Sequence, residues 1–242
     1  MNRVPILMYH NIGTPPPGVR LRKLYVRTGA FARQMALLRL MGYRGLSMRE
    51  AMPYLRGQLK GKVVAITFDD GYEDTVSHAL PVLKYFGHTA TCYVVSQRIG
   101  LHNLWDAEQI GATKPLMSEQ QLRQWHAVGM EVGAHSQTHP RLIECSDTDL
   151  LKEVAYSKIN LEALLQYPVT QFCYPYGAFD NRVWNAVKAA GYDAATTTRR
   201  GRAAVDSDAF ALPRVMVAGH HLLPVLASQI LTSYEDRRGC KT

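Results

Sequence analysis

Four short runs of the 242-residue sequence hold side chains able to do chemistry together. Asp69-Asp70-Gly71 sets two carboxylates side by side. His135-Ser136-Gln137-Thr138-His139 sets two imidazoles four residues apart. His10 follows the apolar run Val4–Tyr9, and His220 and His221 follow Leu212–Val217. Two imidazoles and one carboxylate are a usual set of protein ligands for a catalytic Zn²⁺, with one position left for water. Water held there ionises near neutral pH and becomes a nucleophile. Successive side chains diverge, so adjacent carboxylates divide the work: one binds the metal and the other takes a proton from the water. Spacing alone does not say which does which. A general acid must then protonate the leaving group, and His10, His220 or His221 would supply it.

Each signal is weak alone, since an Asp pair can be a turn and two histidines can sit in a capping loop. Their common location is what gives them weight. Val4–Tyr9, Val63–Phe68, Thr89–Val95, Glu131–Ala134, Gln171–Tyr174, Tyr192–Thr196 and Leu212–Val217 read as strands. Helices are expected between them. Thr28 caps one that carries Phe31, Met35 and Leu38 on one face and closes at Gly42. Others cover Glu73–Phe86, Asp147–Gln166, Asp180–Ala190 and Leu222–Tyr234, and Ser118 with Gln121 forms a capping box for one ending at Gly129. The connection Ser96–Met117 shows no period. This alternation, with no internal linker, predicts an α/β fold with a parallel barrel or a doubly wound sheet. Both place reactive groups at the C-terminal ends of strands, which is where the Asp pair and the histidines fall.

Length predicts one domain spanning 1–242, and 47% hydrophobic with 20% charged residues excludes disorder, collagen and coiled coil. The net charge of +8 is uneven. Residues 1–49 carry nine basic side chains and no acid, and the rest hold 19 basic against 20 acidic. An Arg-rich solvated surface explains this, or a patch for phosphate, anionic lipid or an acidic polymer. The stretch has no nucleic-acid motif and little aromatic interleaving, so no nucleic-acid partner is expected. Cysteines 92, 145, 173 and 240 form no C-x-x-C pair, and Cys92 and Cys173 sit in buried runs. Residues 215–234 lack charge, but Gly219, His220, His221 and Pro224 interrupt them, so an amphipathic helix is expected rather than a membrane span. With no targeting segment visible, a cytoplasmic protein is expected, with peripheral contact at the inner membrane surface through the basic N-terminal region.

Thr67-Phe68-Asp69-Asp70-Gly71 resembles the T-F-D-D-G motif of the polysaccharide deacetylases, the NodB-homology or carbohydrate esterase family 4 group. His135–His139 is similar to that family's H-S-x-T-H motif, and Phe172–Gly177 to its third motif. Pro5–His10 and Leu212-Pro213-Arg214 resemble the branch that deacetylates poly-N-acetylglucosamine, whose barrel is circularly permuted. The resemblance implies a distorted (β/α)7 barrel that hydrolyses the N-acetyl group of an amino sugar in a polysaccharide or glycoconjugate. It implies Asp70, His135 and His139 as metal ligands, Asp69 as general base, and the Tyr176 backbone N–H as oxyanion donor. Zn²⁺ is the expected metal, and the ligand set suits other divalent first-row metals.

Cys173 stands where many members carry an arginine that orients the base, and a thiol cannot donate bidentately. Arg214 is the expected replacement. The usual C-terminal histidine acid is not plain, so His10 is its substitute and His220 the second choice. Trp105 and Asp106 in the long connection, with Pro175, Tyr176 and His220, are candidate substrate contacts, Trp105 as a stacking platform for a sugar face. Two other readings stay open: an amidohydrolase on a small non-sugar amide, and a catalytically inactive glycan-binding barrel. The acceptor is expected to be anionic or lipid-linked, because the basic loop Gly18–Arg27 leaves the same barrel end as His10.

Overall fold

The computed structural model describes residues 3–105, 107 and 111–239. Its main strands are β1 (Ile6–Tyr9), β2 (Arg44–Leu46), β3 (Val63–Phe68), β4 (Thr91–Val94), β5 (Glu131–Ala134), β6 (Gln171–Cys173), β7 (Ala194–Arg200) and β8 (Leu212–Met216). Seven close a parallel ring in the order β1-β8-β7-β6-β5-β4-β3, and β3 pairs back on β1 with Ile6 opposite Ala65 and Tyr9 opposite Phe68. β2 lies outside the ring against β3. The fold is therefore the expected (β/α)7 barrel.

Parallel strands covered on both faces read as unbroken apolar runs, and every residue of β1, β3, β4, β5 and β6 is buried. Their alternation builds two cores. Leu7, Val64, Ile66 and Phe68 pack outward under the helices with Phe31, Leu83 and Trp125. Ile6, Ala65, Tyr93, Cys173, Ala194 and Leu212 pack together in the second cluster, which fills the ring. Thr67 and Asp69 continue the parity of Ala65, and Arg214 that of Leu212. The barrel interior thus changes from apolar to charged toward the C-terminal ends of its strands.

The helices follow the sequence with informative departures. Helix α1 spans Thr28–Leu40 and buries Phe31, Met35 and Leu38. Its cap is Arg27 rather than Thr28: the Arg27 carbonyl takes the Ala30 and Phe31 N–H groups, and no side chain caps the helix. The capping box at Ser118 and Gln121 is present, and Gly87 ends the segment expected over Glu73–Phe86 at φ 68°. Two segments expected as plain helices contain wider π-type turns, Thr75–Ala79 and Lys152–Tyr156. β2 and the helix Met48–Leu55 were not expected. Gly45 in β2 abuts Ile66 and His88 so closely that a Cβ would lie 2.5 Å from Ile66 Cδ1, and so short a glycine-bearing strand shows no period. The last segment breaks into Leu223–Leu231 and Tyr234–Gly239. Among the described residues no helix is long and apolar enough to cross a membrane.

Gly133 on β5 makes room for the Tyr93 ring inside the barrel: an added Cβ would lie 2.5 Å from that ring. Gly133→Ala should overpack the interior and cost about 1–3 kcal/mol, read as a lower urea midpoint with an unchanged m-value.

Candidate active site

The turns that leave the barrel strands meet in one cavity of about 160 Å³, lined by His10, Asp69, Asp70, His135, His139 and Tyr176. Leu21 and Leu24 form part of its rim. His10 follows β1, the Asp pair follows β3, the histidine turn follows β5, and Tyr176 follows β6.

Asp70 Oδ1 lies 3.4 Å from His135 Nε2 and 3.4 Å from His139 Nε2. A tetrahedral cation bound at the usual Zn–N and Zn–O lengths separates its ligand atoms by about 3.4 Å, so the three side chains fit one divalent ion. All three are buried. Nδ1–H of His135 donates to the Cys173 carbonyl at 2.7 Å, which leaves the Nε2 lone pair facing Asp70. The backbone turns sharply to make this convergence: Asp70, Ser136 and His139 all adopt left-handed φ, at 74°, 62° and 69°. The His139 N–H donates to Ser136 Oγ.

A residue that the motifs did not reveal braces this loop. Glu153 accepts from the Gln137 and Thr138 N–H groups at 2.8 and 2.9 Å and from the Thr138 hydroxyl at 2.7 Å. It sits in the wide turn Lys152–Tyr156, beside buried Val154. A charged residue on the apolar stripe of Leu150, Val154 and Leu161 was the available sequence signal.

Asp69 makes a different contact. Arg214 donates to both of its carboxylate oxygens, each at 2.7 Å. The guanidinium also donates to the Thr197 carbonyl at 2.8 Å, to Thr67 Oγ1 at 3.1 Å and to Cys173 Sγ at 3.2 Å. Arg214, from β8, therefore fills the place that Cys173 leaves vacant on β6. Burial pushes the Asp69 carboxyl up, and the charge and hydrogen bonds of Arg214 more than offset it, so Asp69 lies below the usual carboxylate range. Opposing burial and pairing act on Arg214 too, with the net effect of raising it.

His10 Nε2 lies 3.9 Å from Asp69 Oδ2, and its side chain is 18% exposed against 3–8% for Asp69, Asp70, His135 and His139. It sits beside Asp69, after the strand next to β3, rather than across the cavity from it. Tyr176, at φ 58°, has its ring 4.7 Å from that of His139, and Pro175 is buried in the same turn. Trp105 stacks on the same imidazole, with its ring 4.7 Å from that of His139. Arg98, Trp105, Arg141 and Tyr176 line an open groove that runs on from the cavity. Asp106 lies outside the described residues.

The fold takes His221 to a separate hollow beside Ala30, Arg33 and Gln34, and it takes His220 away from the cavity too. His220 is exposed and lines a neighbouring groove with Arg22, Lys23 and Arg27. The turn Ala218–His221 folds back on the Arg22–Tyr25 segment, which stands between His220 and the cavity. His220 is thus not placed to act as the acid.

A family profile described as polysaccharide deacetylase matches residues 56–195. YxkH of Bacillus subtilis (strain 168), whose name places it among polysaccharide deacetylases, is 32% identical over 89% of this chain and 72% of its own length. The poly-beta-1,6-N-acetyl-D-glucosamine N-deacetylase of Escherichia coli (strain K12) is 26% identical over 95% of this chain, which spans 38% of that protein. The Streptococcus pyogenes deacetylase PplD, solved in complex with acetate, superposes with a TM-score of 0.82 at 26% identity, over 95% of this chain and 98% of that one. IcaB from Ammonifex degensii superposes at 0.79 with 26% identity, over 95% and 97%. With the (β/α)7 ring and the Asp/His cluster at its mouth, these matches show that the chain belongs to the polysaccharide deacetylase family of hydrolases.

Proposed function

We propose that the 242 residues form one catalytic domain that hydrolyses the N-acetyl group of a glucosamine-type sugar in a glycan, releasing acetate and a free amine. One observation carries this reading. Asp70, His135 and His139 converge on one point, and the paired carboxylate of Asp69 opens on the same cavity.

Asp70, His135 and His139 would hold a divalent cation, for which Zn²⁺ is the first choice. When bound, it supplies Lewis acidity toward the amide carbonyl and lowers the pKa of water. Asp69 accepts the proton of the attacking water at its carboxylate. Arg214 keeps that carboxylate ionised and fixes its plane with two parallel hydrogen bonds. His10 is the remaining histidine on the cavity among the described residues, and it donates a proton to the departing amine nitrogen. The Tyr176 N–H donates to the oxyanion of the tetrahedral intermediate. Trp105 offers a stacking face for a sugar ring in the groove beyond His139. The basic segment beside the cavity supports an anionic acceptor.

His135→Ala should lose the metal, whereas Asp69→Asn should keep a full equivalent and lose turnover by about 10²–10⁴-fold. Elemental analysis with acetate release from N-acetylglucosamine oligomers measures both, and wild-type turnover in Asp69→Asn removes Asp69 as the base. His10→Ala should lower kcat with metal content intact; loss of metal would make it a ligand or a prop instead.

Removing Arg214 leaves a buried charge without its partner. Arg214→Met should destabilise the protein by about 3–5 kcal/mol at neutral pH. Without the guanidinium, burial raises the Asp69 carboxyl. The deficit against wild type is therefore full at neutral pH and shrinks as pH falls and Asp69 takes up a proton. Denaturant unfolding at several pH values measures it, and Asp69→Asn/Arg214→Met should recover part of the loss.

A further inference from the structure

Beside the catalytic cavity lies a groove that the deacetylation chemistry does not use. The segment from Leu21 to Arg27 forms the wall between the two. Leu21 and Leu24 face the catalytic side, while Arg22, Lys23 and Arg27 line the second groove, of about 210 Å³, together with Tyr25 and His220. The one-turn helix Arg22–Leu24 makes this division possible by sending neighbouring side chains to different sides.

Among the described residues, no carboxylate pairs with the charges of this groove. Arg182, Arg200, Arg202 and Arg214 each hold a carboxylate. Arg22, Lys23 and Arg27 are exposed, and among the described residues they form no ion pair. Arg27 also caps α1, whose first turn has no acidic residue and no side-chain cap, so the positive end of that helix is not neutralised. The opposite wall is held tightly. The Gly219 N–H donates to the Lys23 carbonyl at 3.0 Å, and a Cβ at Gly219 would lie 1.8 Å from the Tyr25 carbonyl oxygen. Only glycine permits this approach, which docks the Gly219–His220 turn against the basic segment.

We infer that this groove is a phosphate-binding subsite and that the glycan acceptor carries a phosphate group. Two guanidinium groups, an ammonium and an imidazole around one hollow offer more donors than a single carboxylate can take. They match the several oxygens of a phosphate. The shared wall places such a phosphate on the same molecule as the sugar being deacetylated; this part of the inference rests on the deacetylase reading.

The test uses Arg22→Gln/Lys23→Gln/Arg27→Gln, whose side chains are exposed, beside wild type and His135→Ala. Inorganic phosphate is followed by phosphorus NMR line broadening. Wild type and His135→Ala should both broaden the signal, and the triple variant should not. Steady-state kinetics then compare N-acetylglucosamine oligomers with and without a reducing-end phosphate. The phosphorylated oligomer should show a KM about tenfold lower, at similar kcat, and high salt or the triple substitution should erase that advantage. Broadening by the triple variant equal to wild type, or a KM advantage that survives the substitutions, overturns the subsite. Sedimentation with phosphatidylcholine vesicles containing phosphatidylglycerol, without any KM difference between oligomers, assigns the charges to a membrane surface and overturns it too. If neither oligomer releases acetate but phosphate binding is lost in the triple variant, the subsite stands and the deacetylase reading falls.

Discussion

Two successive carboxylates at the mouth of a barrel, both nearly cut off from water, impose the constraint around which the site is built. Asp69 and Asp70 are 3% and 6% exposed, so each needs its own counter-charge. The left-handed turn at Asp70 aims it at the two histidines, while Asp69 keeps the inward parity of β3 and meets Arg214. Arg214 is itself 1% exposed and can be there only because Thr197, Thr67 and Asp69 satisfy its donors. The position of β8 in the ring is thereby tied to the charge state of Asp69. A cysteine at 173 is tolerated because it asks nothing of that network beyond a weak contact with the guanidinium.

The parts of the site legible in the sequence were those whose chemistry needs residues close together along the chain. Asp69-Asp70 and His135/His139 announce themselves by spacing, and His10 by following an apolar strand. Arg214 became visible only through an absence, the thiol standing where a guanidinium was expected. Glu153 was hidden because two of its three contacts are backbone N–H groups of another loop, which no motif encodes, and only its place on an apolar stripe marked it. The wide turns at Thr75–Ala79 and Lys152–Tyr156 escaped because one extra residue per turn barely disturbs a helical apolar stripe. His220 misled for a related reason. Following a strand places a residue at the right end of the barrel, but not on the right side of an intervening loop.

Conformational cost is concentrated where the chemistry is proposed. Among the described residues, Asp70, Ser136, His139 and Tyr176 are four of the five non-glycine residues with positive φ. Such conformations persist only where the surroundings over-determine them. Ser136 Oγ, Glu153 and the close packing of Gly177 on Thr198 are those surroundings: a Cβ at Gly177 would sit 2.1 Å from Thr198 Oγ1. The mouth of the barrel is thus stiff before any ligand arrives, which suits a site that must present fixed dipoles rather than rearrange.

The ring closes through β1, which is early in the chain yet sits between β3 and β8. Its pairing with β8, Val215 opposite Leu7, joins residues about as far apart as the barrel allows. Contacts of such separation are slow to form, because the loop entropy precedes the reward. During synthesis the cluster of Asp70, His135 and His139 can be assembled from the middle of the chain well before β8 emerges. Asp69, in contrast, stays without its guanidinium until the last barrel strand is made. The gathering of Asp70, His135 and His139 and the pairing of Asp69 are therefore separated in time by the topology itself, and a chain that stalls short of β8 would carry that cluster beside an unpaired Asp69.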